Sequence, residues 1–273
     1  MSVMVRYAIL DTDFISKANI VKTERGTLAD EVFSFPDYRF FCHQKMREEL
    51  ENHGTNEAKE WLDCKIETGE IGLYDDKRIL HELYEKVGKN CYGYYRSFLK
   101  SGCDMFRATY YTDYFKRLDE RINAGICDED EFVAVLRRCE DSVGHQNNYG
   151  EIKAFVLVRT LEFLYNAEIC VFCSDDFDAR QGFANIEQIP CISILAVFQK
   201  LKTMGRTYDA VLPLYQSFVD WRIMRNEPQD SVKIWCFQDG TLKRVRVAID
   251  GLLEDIYAGK YEVMKNGDLK QKA

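Results

Sequence analysis

Four acidic stretches stand where apolar runs end or helices are expected to begin. Val5-Arg6-Tyr7-Ala8-Ile9-Leu10 runs into Asp11-Thr12-Asp13, and Ile169-Cys170-Val171-Phe172-Cys173 runs into Ser174-Asp175-Asp176. Glu49 follows Phe40-Phe41 on an expected helix, and Glu151 opens another after Asn148-Tyr149-Gly150. Carboxylates delivered at the carboxyl ends of parallel strands meet in one crevice. Like charges held that close repel unless a cation lies between them, and a divalent ion does this best. Oxygen donors select a hard ion, so the chemistry on offer is that of a Mg²⁺ or Mn²⁺ centre. Acids at these positions also cap helices. Asp11 and the Asp175–Asp176 pair are least explained that way, because both follow apolar strands directly.

The elements that must position these acids alternate. A strand ending at Leu10, a helix over 12–21, a strand over 38–42, helices over 44–52 and 57–64 and a short strand over 71–74 come first. Later come a helix over 151–165, the strand 169–173, a short helix over 179–184, a strand over 189–192 and a helix opening at Ser193. This order indicates a mostly parallel α/β sheet. Residues 77–145 differ: Leu80, Leu83, Tyr84 and Val87, and then Phe132, Val133, Val135 and Leu136, recur at helical spacing. That stretch reads as a helical insertion. Its aromatic segments, 91–98 and 110–117, suit stacking on single-stranded nucleic acid, but packing of the helices is favoured. The tail holds a helix over 208–224 and a hairpin turning at Asp239-Gly240. Lys243, Arg244 and Arg246 on the return strand form a phosphate-contacting strip or a solvated edge.

Composition sets outer limits. With 273 residues, 46% hydrophobic and 30% charged, the chain suits one large domain or one domain with an appendage. No apolar run approaches the roughly 20 residues that span a bilayer. The first residues lack a signal peptide's pattern, so a cytoplasmic protein with no membrane partner is expected. Ten cysteines are scattered, and Cys170–Cys173 is a lone CxxC inside an apolar run, which reads as buried thiols. His43, His53, His81 and His145 have no ligand spacing and read as structural or surface residues. The net charge of −8 argues against generic nucleic-acid binding, yet residues 201–273 hold 12 Lys and Arg against 10 Asp and Glu.

Taken together, Asp11-Thr12-Asp13-Phe14-Ile15, Arg47-Glu48-Glu49-Leu50, Gly150-Glu151 and Ser174-Asp175-Asp176-Phe177-Asp178-Ala179-Arg180 resemble the four ordered acidic motifs of PIN-domain nucleases. The likeness covers roughly residues 1–65 and 148–205. Asp13 stands where that family usually has Asn, the helical insertion is large, and residues 206–273 lie outside it. The resemblance implies a three-layer α/β sandwich around a central, mostly parallel sheet over 1–205, with the insertion at about 77–145 and a C-terminal helix plus β-hairpin extension over 206–273. It implies Asp11, Glu49, Glu151 and Asp176 as catalytic acids and metal ligands, with Asp175 a further ligand and Asp13 a competitor. Thr12, Ser174 and Arg180 are further site residues. The implied reaction is metal-dependent phosphodiester hydrolysis, most simply of RNA. A second copy of the chain, an antitoxin or another regulatory protein are the protein partners left open. Two rivals remain: a haloacid-dehalogenase-like phosphatase with Asp11 as nucleophile, and a PIN-like module that binds without catalysis.

Overall fold

The computed structural model describes residues 6–35, 38–52, 54–108, 112–125, 128–143, 148–224 and 230–272. Strand β1 (Arg6–Leu10) ends in three buried residues and leads into α1 (Thr12–Ile20). The stretch before Tyr38 holds the short pair β2 (Lys22–Thr23) and β3 (Gly26–Thr27) and helix α2 (Leu28–Phe33), none of them expected from the sequence. Two-residue strands have no period to read, and α2 is set by a reciprocal cap between Thr27 and Asp30. Then follow β4 (Tyr38–His43), α3 (Gln44–Asn52), α4 (Asn56–Glu67) and β5 (Ile71–Tyr74).

The described residues of 77–145 form no strand and hold four helices of twelve residues or more: α5 (Asp76–Val87), α6 (Cys91–Met105), α7 (Thr112–Asn123) and α8 (Glu129–Val143). Next come α9 (Tyr149–Tyr165), β6 (Ile169–Cys173), α10 (Phe177–Asn185), β7 (Cys191–Ile192), α11 (Ile194–Thr203) and α12 (Tyr208–Ile223). The chain closes with β8 (Ser231–Gln238), β9 (Thr241–Ala248), α13 (Leu252–Tyr257), β10 (Tyr261–Val263) and β11 (Leu269–Gln271). The fold is α/β: a five-stranded parallel sheet in the order β5-β4-β1-β6-β7, flanked by helices. Among the described residues no helix is long and apolar enough to cross a membrane.

Two compact units interleave along the chain, one formed by 1–12, 39–54 and 62–170, the other by 13–38, 55–61 and 171–273. In the first, β4 and β5 pair in parallel from Phe40↔Ile71 to His43↔Tyr74. Helices α6 and α9 approach closely at Gly102, where a Cβ would stand 3.2 Å from both Ile152 and Phe155. The aromatic run on α6 packs against α8: Tyr92 and Tyr95 are buried, with ring centroids 4.9 and 5.9 Å from Phe132. Of the second aromatic run, Tyr110, Tyr111 and the Tyr114 side chain lie outside the described residues.

In the second unit β6 and β7 pair in parallel, and β10-β11-β8-β9 form a further sheet. Its hairpin turns on Asp239 (φ 52°) and Gly240 (φ 73°), the left-handed pair that a two-residue turn demands. One face buries Val232, Ile234, Cys236 and Leu269. The tail is not separate from the earlier chain within this unit. Ser193 Oγ donates to the Gly267 carbonyl at 2.6 Å, and the Lys22 amide donates to Ser217 Oγ at 3.0 Å.

Candidate functional site

In the first unit the structure brings three of the acidic motifs together around one carboxylate. Asp11 directly follows β1, with 5% of its surface exposed. The next residue, Thr12, donates from Oγ1 to Glu49 Oε2 at 2.6 Å. Glu48 is exposed and pairs with Lys45 at 3.6 Å, so Glu49 is the member of the acid pair that faces the motif residues. Gly150, in the first turn of α9, lies against the same carboxylate. A Cβ there would stand 2.7 Å from Oε2 and 2.8 Å from Oε1 of Glu49, so only glycine leaves the room. The amino end of α9 also favours negative charge at this point. Glu151 follows directly, half-buried.

Beside these lies a network that the acid motifs did not predict. Lys153 has 1% of its surface exposed. It donates to both Asp76 oxygens at 2.8 Å and to Tyr95 Oη at 2.8 Å, and pairs with Glu140 at 3.0 Å. Tyr95 Oη in turn donates to Asp76 Oδ1. His43 ends β4, buried; its Nδ1 accepts from the Lys45 amide at 3.1 Å, which leaves the proton on Nε2 for Asp76 at 3.1 Å. Burial alone would raise the Asp76 pKa, but Lys153 and His43 outweigh it and hold the group far below the usual carboxylate range. Burial pushes Glu140 up. Lys153, Asp76, His43 and Glu140 line a cavity of about 260 Å³ with Lys45, Asp75 and Arg137. Two signals marked it in the sequence. Asp75-Asp76 follows Ile71–Tyr74 just as Asp11 follows Leu10, and Lys153 interrupts the apolar run of α9.

The second unit holds the remaining predicted residues. Lys17 Nζ lies between Asp13 Oδ2, at 2.6 Å, and Asp175 Oδ2, at 2.8 Å. Asp175 Oδ1 accepts from the Ile194 amide at 3.1 Å. Burial lifts the Asp13 pKa, Lys17 opposes this, and the charges of Asp175 and Asp176 add to the rise. Burial would lower Lys17, yet Asp175 and Asp13 carry it above the ordinary lysine value. Part of the repulsion that suggested a metal is therefore relieved here by a lysine. Asp176 is exposed and caps α10, accepting from the Ala179 amide at 2.8 Å. Ser174 Oγ accepts from the Asp176 amide at 3.1 Å.

Arg180 is buried and fully engaged. It donates to the carbonyls of Asn266 and Ser174 and pairs with Asp268 at 2.7 Å, so Asp268, not Asp176, is its carboxylate partner. The expected Lys243–Arg244–Arg246 strip divides. Arg244 and Arg246 share one face of β9, whereas Lys243 projects to the other and pairs with Asp239 at 3.6 Å. Adjacent residues such as Lys243 and Arg244 cannot share one face of a strand, because the side-chain period is two. The described cysteines are free thiols, with Cys173 buried and Cys170 half-buried. Burial pushes Cys42, Cys103 and Cys191 up to about 12.

Hard carboxylate oxygens fit Mg²⁺ or Mn²⁺ in kind. Among the described residues, however, no three His, Cys, Asp or Glu side chains are grouped closely enough to hold a metal ion. Comparison of the chain with family models, curated proteins and solved structures finds no match.

Proposed function

We propose that this protein is a divalent-metal-dependent nuclease, a ribonuclease hydrolysing phosphodiester bonds through acidic residues on a PIN-like, three-layer α/β scaffold. The observation that supports this reading most is the meeting of Thr12, Glu49 and Gly150, which come from three motifs far apart in sequence. A glycine kept clear by a carboxylate, and a threonine hydroxyl bound to that carboxylate, are the marks of an oriented acid rather than of a solvated surface.

Asp11, Glu49 and Glu151 in the first unit would be ligands for Mg²⁺ or Mn²⁺, as would Asp175 and Asp176 in the second. Such an ion, when bound, polarises the phosphate and acidifies a water. Thr12 fixes one oxygen of Glu49. Lys17 holds Asp13 and Asp175 in place.

The test is Mn²⁺-dependent cleavage of single-stranded RNA and DNA by the wild type and by Asp11→Asn, Glu49→Gln and Gly150→Ala. A methyl group at residue 150 meets only the tip of the flexible Glu49 side chain, so Gly150→Ala should fold and melt like the wild type. Its displaced carboxylate should nevertheless lower cleavage by roughly a hundredfold. Cleavage unaltered in Asp11→Asn and Glu49→Gln would refute the mechanism, and beryllofluoride trapped on Asp11 would point to phosphoryl transfer instead.

A further inference from the structure

A cavity of about 310 Å³ in the second unit, bordered by Asp175, is otherwise lined by residues that the proposed cleavage chemistry does not use. Five cationic side chains line it, Arg180, Arg222, Lys233, Arg244 and Arg246, against two acids, Asp175 and Asp268. Both acids are already committed. Asp268 accepts from Arg180 at 2.7 Å and from Trp235 Nε1 at 2.8 Å, and Asp175 accepts from Lys17 and the Ile194 amide.

The surplus charge sits on the outer face of the hairpin. Lys233 and Arg246 are direct cross-strand partners, and neither has a hydrogen bond or an ion pair among the described residues. Like charges placed opposite one another on a sheet destabilise it unless an anion joins them. One step along the same face, Arg244 stacks on Phe177 with its guanidinium carbon 3.7 Å from the ring centroid, which fixes the plane of its donors. Its Nε is buried without a hydrogen-bond partner and lies 3.6 Å from Asp268. Protection of the edge strand β9 would account for scattered charge. It does not account for an immobilised arginine beside a like-charge pair in one cavity.

We propose that this cavity binds a phosphate group. Two planar guanidinium forks and an ammonium match a multiply charged tetrahedral oxyanion better than a single carboxylate. The phosphate belongs either to a small phosphorylated molecule or to the backbone of a nucleic acid. The inference rests on the cavity alone and does not require the acids to be catalytic.

Isothermal titration in EDTA, which blocks any metal-dependent cleavage, tests it with two probes: pyrophosphate and a ten-nucleotide single-stranded oligoribonucleotide. The wild type should bind at least one. Lys233→Ala and Arg246→Ala should each weaken that binding by roughly tenfold or more, the loss expected for a charge-assisted hydrogen bond. Lys243→Ala removes the same charge from the opposite face and should stay within about twofold of the wild type, since exposed pairs contribute little. Thermal melting confirms that the variants fold. Binding of pyrophosphate alone assigns a small ligand, and binding of the oligonucleotide, with or without pyrophosphate, assigns the backbone. Failure of both probes at millimolar concentration overturns the proposal, as does binding unaltered in Lys233→Ala and Arg246→Ala. Binding that survives in Asp11→Asn while cleavage is lost separates this site from the acids.

Discussion

An ammonium with 1% of its surface exposed is tolerable only when its charge is met on the spot, and Lys153 is met by Asp76, Glu140 and Tyr95. Removing the Asp76 charge leaves Lys153 with the part-buried Glu140, so Asp76→Asn should cost roughly 3–5 kcal/mol at neutral pH. The pH dependence follows from the direction of the shift. A carboxylate held far below its usual range stabilises the fold fully above the ordinary Asp value and less as pH falls towards the folded value. Wild-type stability should therefore decline below about pH 4. The decline should be shallower in Asp76→Asn, as urea melts at stepped pH would record. Parallel acid limbs in the two proteins would contradict the assignment. Glu49 is the other instance at this scale. Sequence preferred it to Glu48 only because Leu50 follows, whereas Thr12 and Gly150 place it by contact.

Helix α10 gives one residue two roles. Asp176 is a predicted catalytic acid, and it is also the N-cap whose side chain accepts from the Ala179 amide. Asn caps as well as Asp does, while Ala does not. Asp176→Asn should hold its melting temperature and lose cleavage, and Asp176→Ala should lose cleavage and about 1 kcal/mol of stability as well. Full cleavage by Asp176→Asn would leave the residue a cap alone. The same scale explains which elements were legible. Long segments with strong periodicity, such as α9, α11 and α12, and strands closed by turn signals, such as β8 and β9, carry their own evidence. The pair β2–β3, with two residues per strand, and β10 and β11, with three, do not.

For the molecule as a whole, the net charge is −8 and the sequence pI about 5.2, so long-range attraction to a polyanion is weak. Binding of RNA would depend on the few cations gathered in one place. One backbone phosphate held by Lys233, Arg244 and Arg246 together predicts a slope of only about −0.7 for log affinity against log salt on a single strand. Titrations of the oligoribonucleotide at stepped salt would measure it, and a much steeper slope would demand a larger basic surface than the cavity holds. The amino-acid sequence by itself determined the alternation of strands and helices, the helical character of 77–145 and the placing of acids directly after buried strands. Those are consequences of periodicity and of local turn and cap chemistry. Tertiary structure alone decided that Glu49 turns to Thr12 and Gly150, that Lys17 joins Asp13 to Asp175, and that Arg180 belongs to Asp268. Each depends on which distant side chain comes within about 3 Å, the reach of a hydrogen bond, and no local pattern encodes that distance.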